Sequence, residues 1–288
     1  MELVIISGKG GTGKTMITAA LQALSGTRLI ADCDVDAPNL SLYYKGRNLH
    51  TEDFYALSKA KVDESRCISC GICDAVCRFD AMKDHVVDEI SCEGCGACVI
   101  ACPNDAITLI KLKDADIYTT KTHEGLIFRA KMASGSDGSG MLITKLRKNA
   151  RSQANDDELI ILDGSPGIGC PVISSITAAD LALIVTEPTI SGISDLKRVV
   201  GVARHFNIQT ALCINKYDIN PDLTEQIKEY ALSENIPVIG KIPFDETVIA
   251  SINSLQPITS FAQSAAAAEI KRMWEKLKKL IESLKASG

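Results

Sequence analysis

Gly8-Lys9-Gly10-Gly11-Thr12-Gly13-Lys14-Thr15 sets the terms for the rest of the chain. It follows Leu3-Val4-Ile5-Ile6-Ser7, a short apolar β-branched run, and precedes Met16-Ile17-Thr18-Ala19-Ala20-Leu21, a helix-like run. Strand, glycine loop and helix in that order is the context a phosphate-binding loop requires. The glycines let backbone N–H groups turn inward around phosphate oxygens. The N-terminus of the following helix adds its dipole and its unpaired N–H groups. In such a loop Lys14 reaches the β- and γ-phosphates, and the Thr15 hydroxyl ligates Mg²⁺.

The chain has 288 residues, room for one large domain or two small ones. A hydrophobic content of 46% and a mean hydropathy of +0.10 indicate a globular chain with a substantial core. The formal charge of −5 and a pI near 5.5 argue against a strong nucleic-acid binder. No apolar run reaches the roughly 18 residues of a membrane span. No signal peptide precedes the first strand, so a cytoplasmic location is expected. Eleven cysteines in such a protein do not read as disulfides. Eight of them crowd into Cys67 to Cys102, which reads as metal chemistry.

Working outward, Arg28-Leu29-Ile30-Ala31-Asp32 reads as a second buried strand and runs into the acidic loop Asp32-Cys33-Asp34-Val35-Asp36. Ligand residues collect at the carboxyl ends of strands in open parallel sheets, so this loop is placed to serve a metal–nucleotide. Asp116 to Met132 reads as an antiparallel hairpin around His123-Glu124-Gly125, followed by a Ser/Gly linker, 134–140, and a helix from Met141 to about Ser152. Three further apolar strands are expected: Glu158 to Asp163, Leu181 to Thr186 and Thr210 to Ile214. Val238 to Ile242 is the last strand. Strands alternating with helices indicate an α/β fold with a doubly wound, mostly parallel sheet.

Between these halves stands a cysteine framework. Cys67-x-x-Cys70-x-x-Cys73-x-x-x-Cys77 is followed, 25 residues on, by Cys92-x-x-Cys95-x-x-Cys98-x-x-x-Cys102-Pro103. Each run has the spacing of a bacterial-type two-[4Fe–4S] ferredoxin, in which the fourth cysteine serves the other cluster. That rule groups Cys67, Cys70, Cys73 and Cys102 on one cluster, and Cys92, Cys95, Cys98 and Cys77 on the other. Gly71, Gly94 and Gly96 suit tight loops beside the sulfurs. Arg78 stands where the pattern expects a proline. Two four-thiolate zinc sites would use the same eight residues, but the repeated spacing favours iron–sulfur clusters.

Lys9 makes the phosphate loop unusual, because the run becomes Lys-Gly-Gly-Thr-Gly-Lys-Thr. It resembles the deviant Walker A loop of the MinD/ParA/Mrp/nitrogenase-iron-protein superfamily. The resemblance implies that Lys9 contacts nucleotide across a homodimer interface, or a heterodimer interface with a paralogue. Asp32-x-Asp34-x-x-x-Pro38 resembles that family's switch I, which implies a place for Asp34 near Mg²⁺ and the attacking water. Asp163-Gly164-Ser165-Pro166-Gly167 resembles its Walker B and switch II segment. By that likeness Asp163 holds Mg²⁺ and the Gly167 N–H senses the γ-phosphate, a role that calls for no Cβ nearby. Asn215, Pro243 and Asp245 stand where relatives contact or line the adenine. The loop glycines Gly8, Gly10, Gly11 and Gly13, with Thr12, Lys14 and Thr15, complete the implied nucleotide site.

The whole chain resembles MinD-superfamily ATPases that contain an inserted two-cluster ferredoxin domain. It implies an ATPase domain at 1–60 and 111–288 and a ferredoxin-like insert at 61–110. It implies ATP, Mg²⁺ and two [4Fe–4S] clusters, with Lys9, Lys14, Asp34 and Asp163 carrying hydrolysis to ADP and phosphate. The implied output is electron transfer to a protein partner, or iron–sulfur or metal-cofactor assembly in it; the alternative is a positioning or scaffold ATPase with structural clusters. A final helix, about Phe261 to Leu284, carries an apolar stripe at Ile270, Trp274, Leu277, Ile281 and Leu284. A buried last helix is the preferred reading over a membrane-surface helix, so no membrane partner is expected. Cys213 reads as core. Cys170 stands where a nitrogenase-iron-protein cysteine binds a shared cluster, but one thiolate per subunit is too few for a Cys₄ site.

Overall fold

The structure is a computed structural model that describes residues 1–133 and 138–287. The serine–glycine run at 134–137, read above as linker, lies outside the described residues. In chain order the strands are β1 Glu2–Ser7, β2 Leu29–Asp32, β3 Gly46–Phe54, β4 Ser58–Val62, β5 Met82–Lys83, β6 Val86–Val87, β7 Ile107–Lys111, β8 Ala115–Thr122, β9 Leu126–Met132, β10 Ile160–Pro166, β11 Leu181–Thr186, β12 Gln209–Asn215 and β13 Val238–Ile242. The helices are α1 Lys14–Ser25, α2 Ile72–Val76, α3 Ala97–Ala101, α4 Ser139–Arg151, α5 Cys170–Ile176, α6 Ile190–His205, α7 Pro221–Ser233, α8 Thr247–Ser254 and α9 Ala265–Ser287.

Two compact units emerge. The first comprises Met1–Thr51, Tyr118–Ala130 and Ser139–Gly288; the second comprises Glu52–Ile117 and Lys131–Gly138. The 61–110 segment lies inside the second.

The first unit is built on the large sheet, ordered β13-β12-β11-β1-β10-β2-β9-β8-β3. From β13 to β9 every pairing is parallel. The central strands β1, β10 and β11 are buried almost throughout, and β1 between its polar ends, β11 up to its last residue and the first three residues of β10 are continuous apolar runs, the sequence signature of a parallel sheet. Strand order reverses direction at β1 and β10, so their carboxyl ends open the crevice where ligands bind in such sheets. Glu2 and its partners anchor the opposite end. Its buried carboxylate accepts hydrogen bonds from Arg147 and Arg151 of α4.

The last helix starts later than the sequence suggested. Ile258–Ser260 form a 3-10 turn, and α9 begins only at Ala265. Ser264 caps it: its hydroxyl accepts the Ala267 N–H at 3.0 Å and donates to Asp245 at 2.6 Å. Ile270, Met273, Leu277 and Ile281 of α9 are buried in one cluster with Ile17 and Leu21 of α1 and Ile239 and Ile242 of β13. The apolar stripe therefore faces the core. Among the described residues no helix is long and apolar enough to cross a membrane.

The second unit carries two antiparallel pairs, β4 with β7 and β5 with β6, and the short helices α2 and α3. Its buried core is small: Ala60, Cys73, Ala81, Met82, Cys92 and Ile107, with Cys77, Cys98 and Cys102 partly buried against it. Cysteine sulfurs occupy much of the place that aliphatic side chains fill in the first unit.

Candidate nucleotide site and cysteine cavities

The phosphate loop leaves the end of β1 and closes onto α1. Gly13 has φ of +88°, and a Cβ there would stand 2.4 Å from Asn215 Nδ2, so only glycine fits. Lys14, 5% exposed, lies between two acids: its Nζ is 3.0 Å from Asp163 Oδ1 and 3.4 Å from Asp34 Oδ2. Burial works against the charge of Lys14, but the carboxylates of Asp163 and Asp34 outweigh it and raise its pKa. Asp163, in the middle of β10, which runs on to Pro166 rather than ending at this aspartate as the sequence suggested, also accepts the hydroxyls of Thr15 at 2.7 Å and Thr18 at 2.7 Å.

Asp32 is fully buried and accepts the backbone N–H groups of Asp34 at 3.3 Å and Leu40 at 3.1 Å. It folds the acidic loop back toward Lys14. Burial, with Asp163 close by, raises its pKa well above the ordinary carboxylate range. Burial also raises that of Asp34, against the pull of Lys14. Three carboxylates thus share one ammonium, which favours a divalent cation. Asp36 is exposed. The Thr12 hydroxyl is buried and, among the described residues, has no hydrogen-bond partner. A buried polar atom of that kind carries a desolvation cost that a phosphate oxygen would relieve. The residues present therefore fit a Mg²⁺–nucleotide.

Lys9 does not reach away from its own chain here. Its Nζ pairs with Glu187 Oε1 at 2.7 Å and contacts the hydroxyls of Thr189 at 3.2 Å and Ser191 at 3.1 Å. Lys216 holds the other oxygen of Glu187 at 3.2 Å. Burial alone would raise the Glu187 pKa; the hydrogen bonds from Lys9 and Lys216 override it and hold the carboxyl below its usual range.

The remaining switch residues are engaged within the chain as well. The Gly167 N–H donates to Ser7 O at 2.9 Å. An added Cβ at Gly167 would meet no atom within 4 Å, whereas its φ is +95°. Backbone conformation by itself therefore favours glycine there. The Asn215 amide donates to Thr12 O at 2.8 Å and its oxygen accepts the Lys216 N–H at 3.0 Å, so it braces the phosphate loop. Asp245 ties its own loop to the start of α9. One oxygen accepts Thr247 N–H at 2.8 Å; the other accepts Ser264 Oγ at 2.6 Å and Ala266 N–H at 3.1 Å. Pro243, two residues earlier, is half-buried.

In the second unit the cysteines border two cavities. Cys67, Cys70, Cys73 and Cys102 line one, a small cavity of about 20 Å³. Cys77, Cys92, Cys95 and Cys98 line the other, also of about 20 Å³. These are the two quartets given by the spacing. Burial, reinforced by Asp74, pushes the Cys73 thiol up to about 11. Among the described residues no group of three or more His, Cys, Asp or Glu side chains is gathered closely enough to hold a single metal ion. A cubane makes a different demand, since each thiolate binds a different iron of a body filling the space between them. Four thiols around a cavity suit that demand. Outside the cavities, Cys33 and Cys213 are buried and Cys170 is exposed.

A family model of the CobQ/CobB/MinD/ParA nucleotide-binding domain matches residues 3–258. The chain belongs to that family. It is 34% identical over 284 residues to uncharacterized protein MJ0578 of Methanocaldococcus jannaschii, covering 98% of each chain. Its fold is similar to the septum site-determining protein MinD of Pyrococcus horikoshii OT3 complexed with Mg-ADP, with a TM-score of 0.59 at 19% identity, covering 99% of each chain. It is similar also to a chain of the MinC:MinD cell division complex of Aquifex aeolicus, with a TM-score of 0.58 at 18% identity, covering 97% of this chain and 96% of that one.

Within this MinD/ParA-family chain the structure brings Lys14, Thr15, Asp34 and Asp163 together and gives Lys9, Asn215 and Asp245 partners that the sequence did not suggest. It also adds Thr18, Glu187 and Lys216. Thr18 had a legible signal: it stands three residues after Thr15 and four after Lys14, on one helical face. Glu187 and Lys216 lie far from Lys9 in sequence and had none.

Proposed function

We propose that the protein is an ATP-hydrolysing dimer switch of the MinD/ParA type. The convergence of Lys14, Thr15 and Thr18 on Asp163 carries this reading. Lys14 and Thr15 each have a natural destination when MgATP binds. Lys14 turns from Asp163 to the β- and γ-phosphates. The Thr15 hydroxyl, with Asp163 and Asp34, holds Mg²⁺, whose charge neutralises the phosphates when it is bound. Gly167 exchanges the Ser7 carbonyl for a γ-phosphate oxygen. Lys9 leaves Glu187 for the nucleotide of a second copy, where it stabilises developing charge as an arginine finger does. Asp34 orients the attacking water.

The test is MgATP turnover and light scattering of the purified protein. ATP-dependent dimers with hydrolysis are expected, and Lys9→Ala should abolish both. Turnover that persists unchanged in the Lys14→Ala variant would refute the reading.

We further propose that the second unit binds two [4Fe–4S] clusters in the cavities of its two cysteine quartets, where they would supply one-electron chemistry. The family likeness by itself favours a positioning or scaffold ATPase as the output. The paired cavities favour electron transfer, or cofactor assembly in a protein partner. Anaerobic purification separates these readings. About eight irons and eight sulfides per chain are expected for two cubanes. An EPR spectrum that changes with MgATP supports the redox output; an unchanged one supports the scaffold.

A further inference from the structure

The two cysteine quartets are alike in spacing but unlike in charge. Lys59 of β4 is buried, 6% exposed, and its Nζ donates to the carbonyl of Cys92 at 2.7 Å. The next residue, Ala60, gives its N–H to Cys92 Sγ at 3.4 Å and lines the same cavity. A buried ammonium therefore sits against the backbone of a ligand to the second site. Glu93, on that cavity's wall, is exposed, as is Asp88, which feels the field of Lys59. Water screens those acids far more than it screens the buried cation.

The first site has the opposite neighbour. Asp74 Oδ1 is 3.5 Å from Cys73 Sγ. Its wall carries His85 and, among the described residues, neither lysine nor arginine. Backbone hydrogen bonding to sulfur does not distinguish the sites, since Ala106 N–H reaches Cys102 Sγ at 3.3 Å much as Ala60 reaches Cys92.

We infer that Lys59 and Asp74 set the two clusters at different potentials, with the site of Cys77, Cys92, Cys95 and Cys98 the higher. This rests on the cluster reading above. Reduction adds one negative charge to a cluster. A buried cation stabilises that charge and a neighbouring carboxylate opposes it, so local charge and burial set the potential. The exchange is one electron, with no proton or atom transferred: the site beside Asp74 is oxidised as the site beside Lys59 is reduced. An electron delivered to either site by a one-electron donor protein comes to rest beside Lys59.

The test is a dithionite titration of the anaerobically purified full chain, followed by EPR. Two separate one-electron waves are expected. Lys59→Met should lower the upper wave alone, by at least the tenfold change in electron distribution that about 59 mV represents for one electron. Asp74→Asn should raise the lower wave alone, and Lys59→Arg should leave both in place. If Lys59→Met fails to fold, the Asp74→Asn and Lys59→Arg results decide. Samples with about eight irons whose waves coincide, or whose variants move the same wave or neither, overturn the inference and leave the cluster reading standing. Samples that bind no iron overturn both.

Discussion

Asp163 accepts three donors, and two of them, Lys14 and Thr15, are groups that a metal–nucleotide would claim. Asp163→Asn should retain the fold and lower MgATP turnover by roughly 10²-fold or more, the usual cost of losing a preorganised charge-stabilising group. Steady-state kinetics beside a circular dichroism spectrum checks this. Asp32 gives a pH signature. Its folded pKa lies above its unfolded value, so the folded chain keeps a proton that the unfolded chain releases above about pH 4. Its contribution is therefore fully present below the ordinary carboxylate pKa and falls as pH rises through the raised folded value. Asp32→Asn, which keeps one acceptor oxygen for the Leu40 or the Asp34 N–H and carries no charge, should flatten that fall. Thermal melts of the nucleotide-free protein from pH 5 to pH 8 would show the variant gaining on the parent as pH rises. Parallel curves would exclude the effect.

Elements are joined by a few buried polar contacts that no local pattern announces. Glu2, the first residue of β1, holds Arg147 and Arg151 of α4 across 145 and 149 residues of chain. Arg147 is itself buried, so neutralising Glu2 leaves an uncompensated guanidinium inside. Glu2→Gln is expected to cost about 3–5 kcal/mol, read from urea unfolding of the first unit. At this scale the strands were the most legible part of the sequence. Runs such as Leu181 to Thr186 are fully buried, and continuous apolarity is all the signal they need. Helix ends were less so. Sequence periodicity carried α9 back to Phe261, but Ser264 and Asp245 fix its start three to four residues later through contacts formed only in the fold.

At the scale of the whole molecule the two units differ in what can hold them together. The first has a large aliphatic core around a nine-stranded sheet. Among the described residues, the buried cluster around the cysteines of the second has six members, two of them cysteines. So little apolar burial seldom stabilises a domain of this size without a metal or covalent staple. Where the proposed clusters are bound, removing iron with a chelator is expected to abolish one calorimetric transition, that of the second unit, while nucleotide binding by the first survives. A single unchanged transition after iron loss would show that the second unit folds on its aliphatic contacts alone.

What the sequence determined by itself is local. The phosphate loop, the apolar runs leading into Asp32 and Asp163, and the grouping of eight cysteines are set by spacings of a few residues, because one loop or one helical turn fixes which backbone and side-chain groups can share a point in space. What only the tertiary structure decided is remote. Lys9 on Glu187, Asn215 on Thr12 and Lys59 beneath Cys92 join residues 178, 203 and 33 positions apart. A lysine in a sequence does not disclose whether its charge meets water or a buried carboxylate. That depends on which distant strand packs beside it, and here it separates a surface lysine from one held by Glu187 or buried against the Cys92 carbonyl.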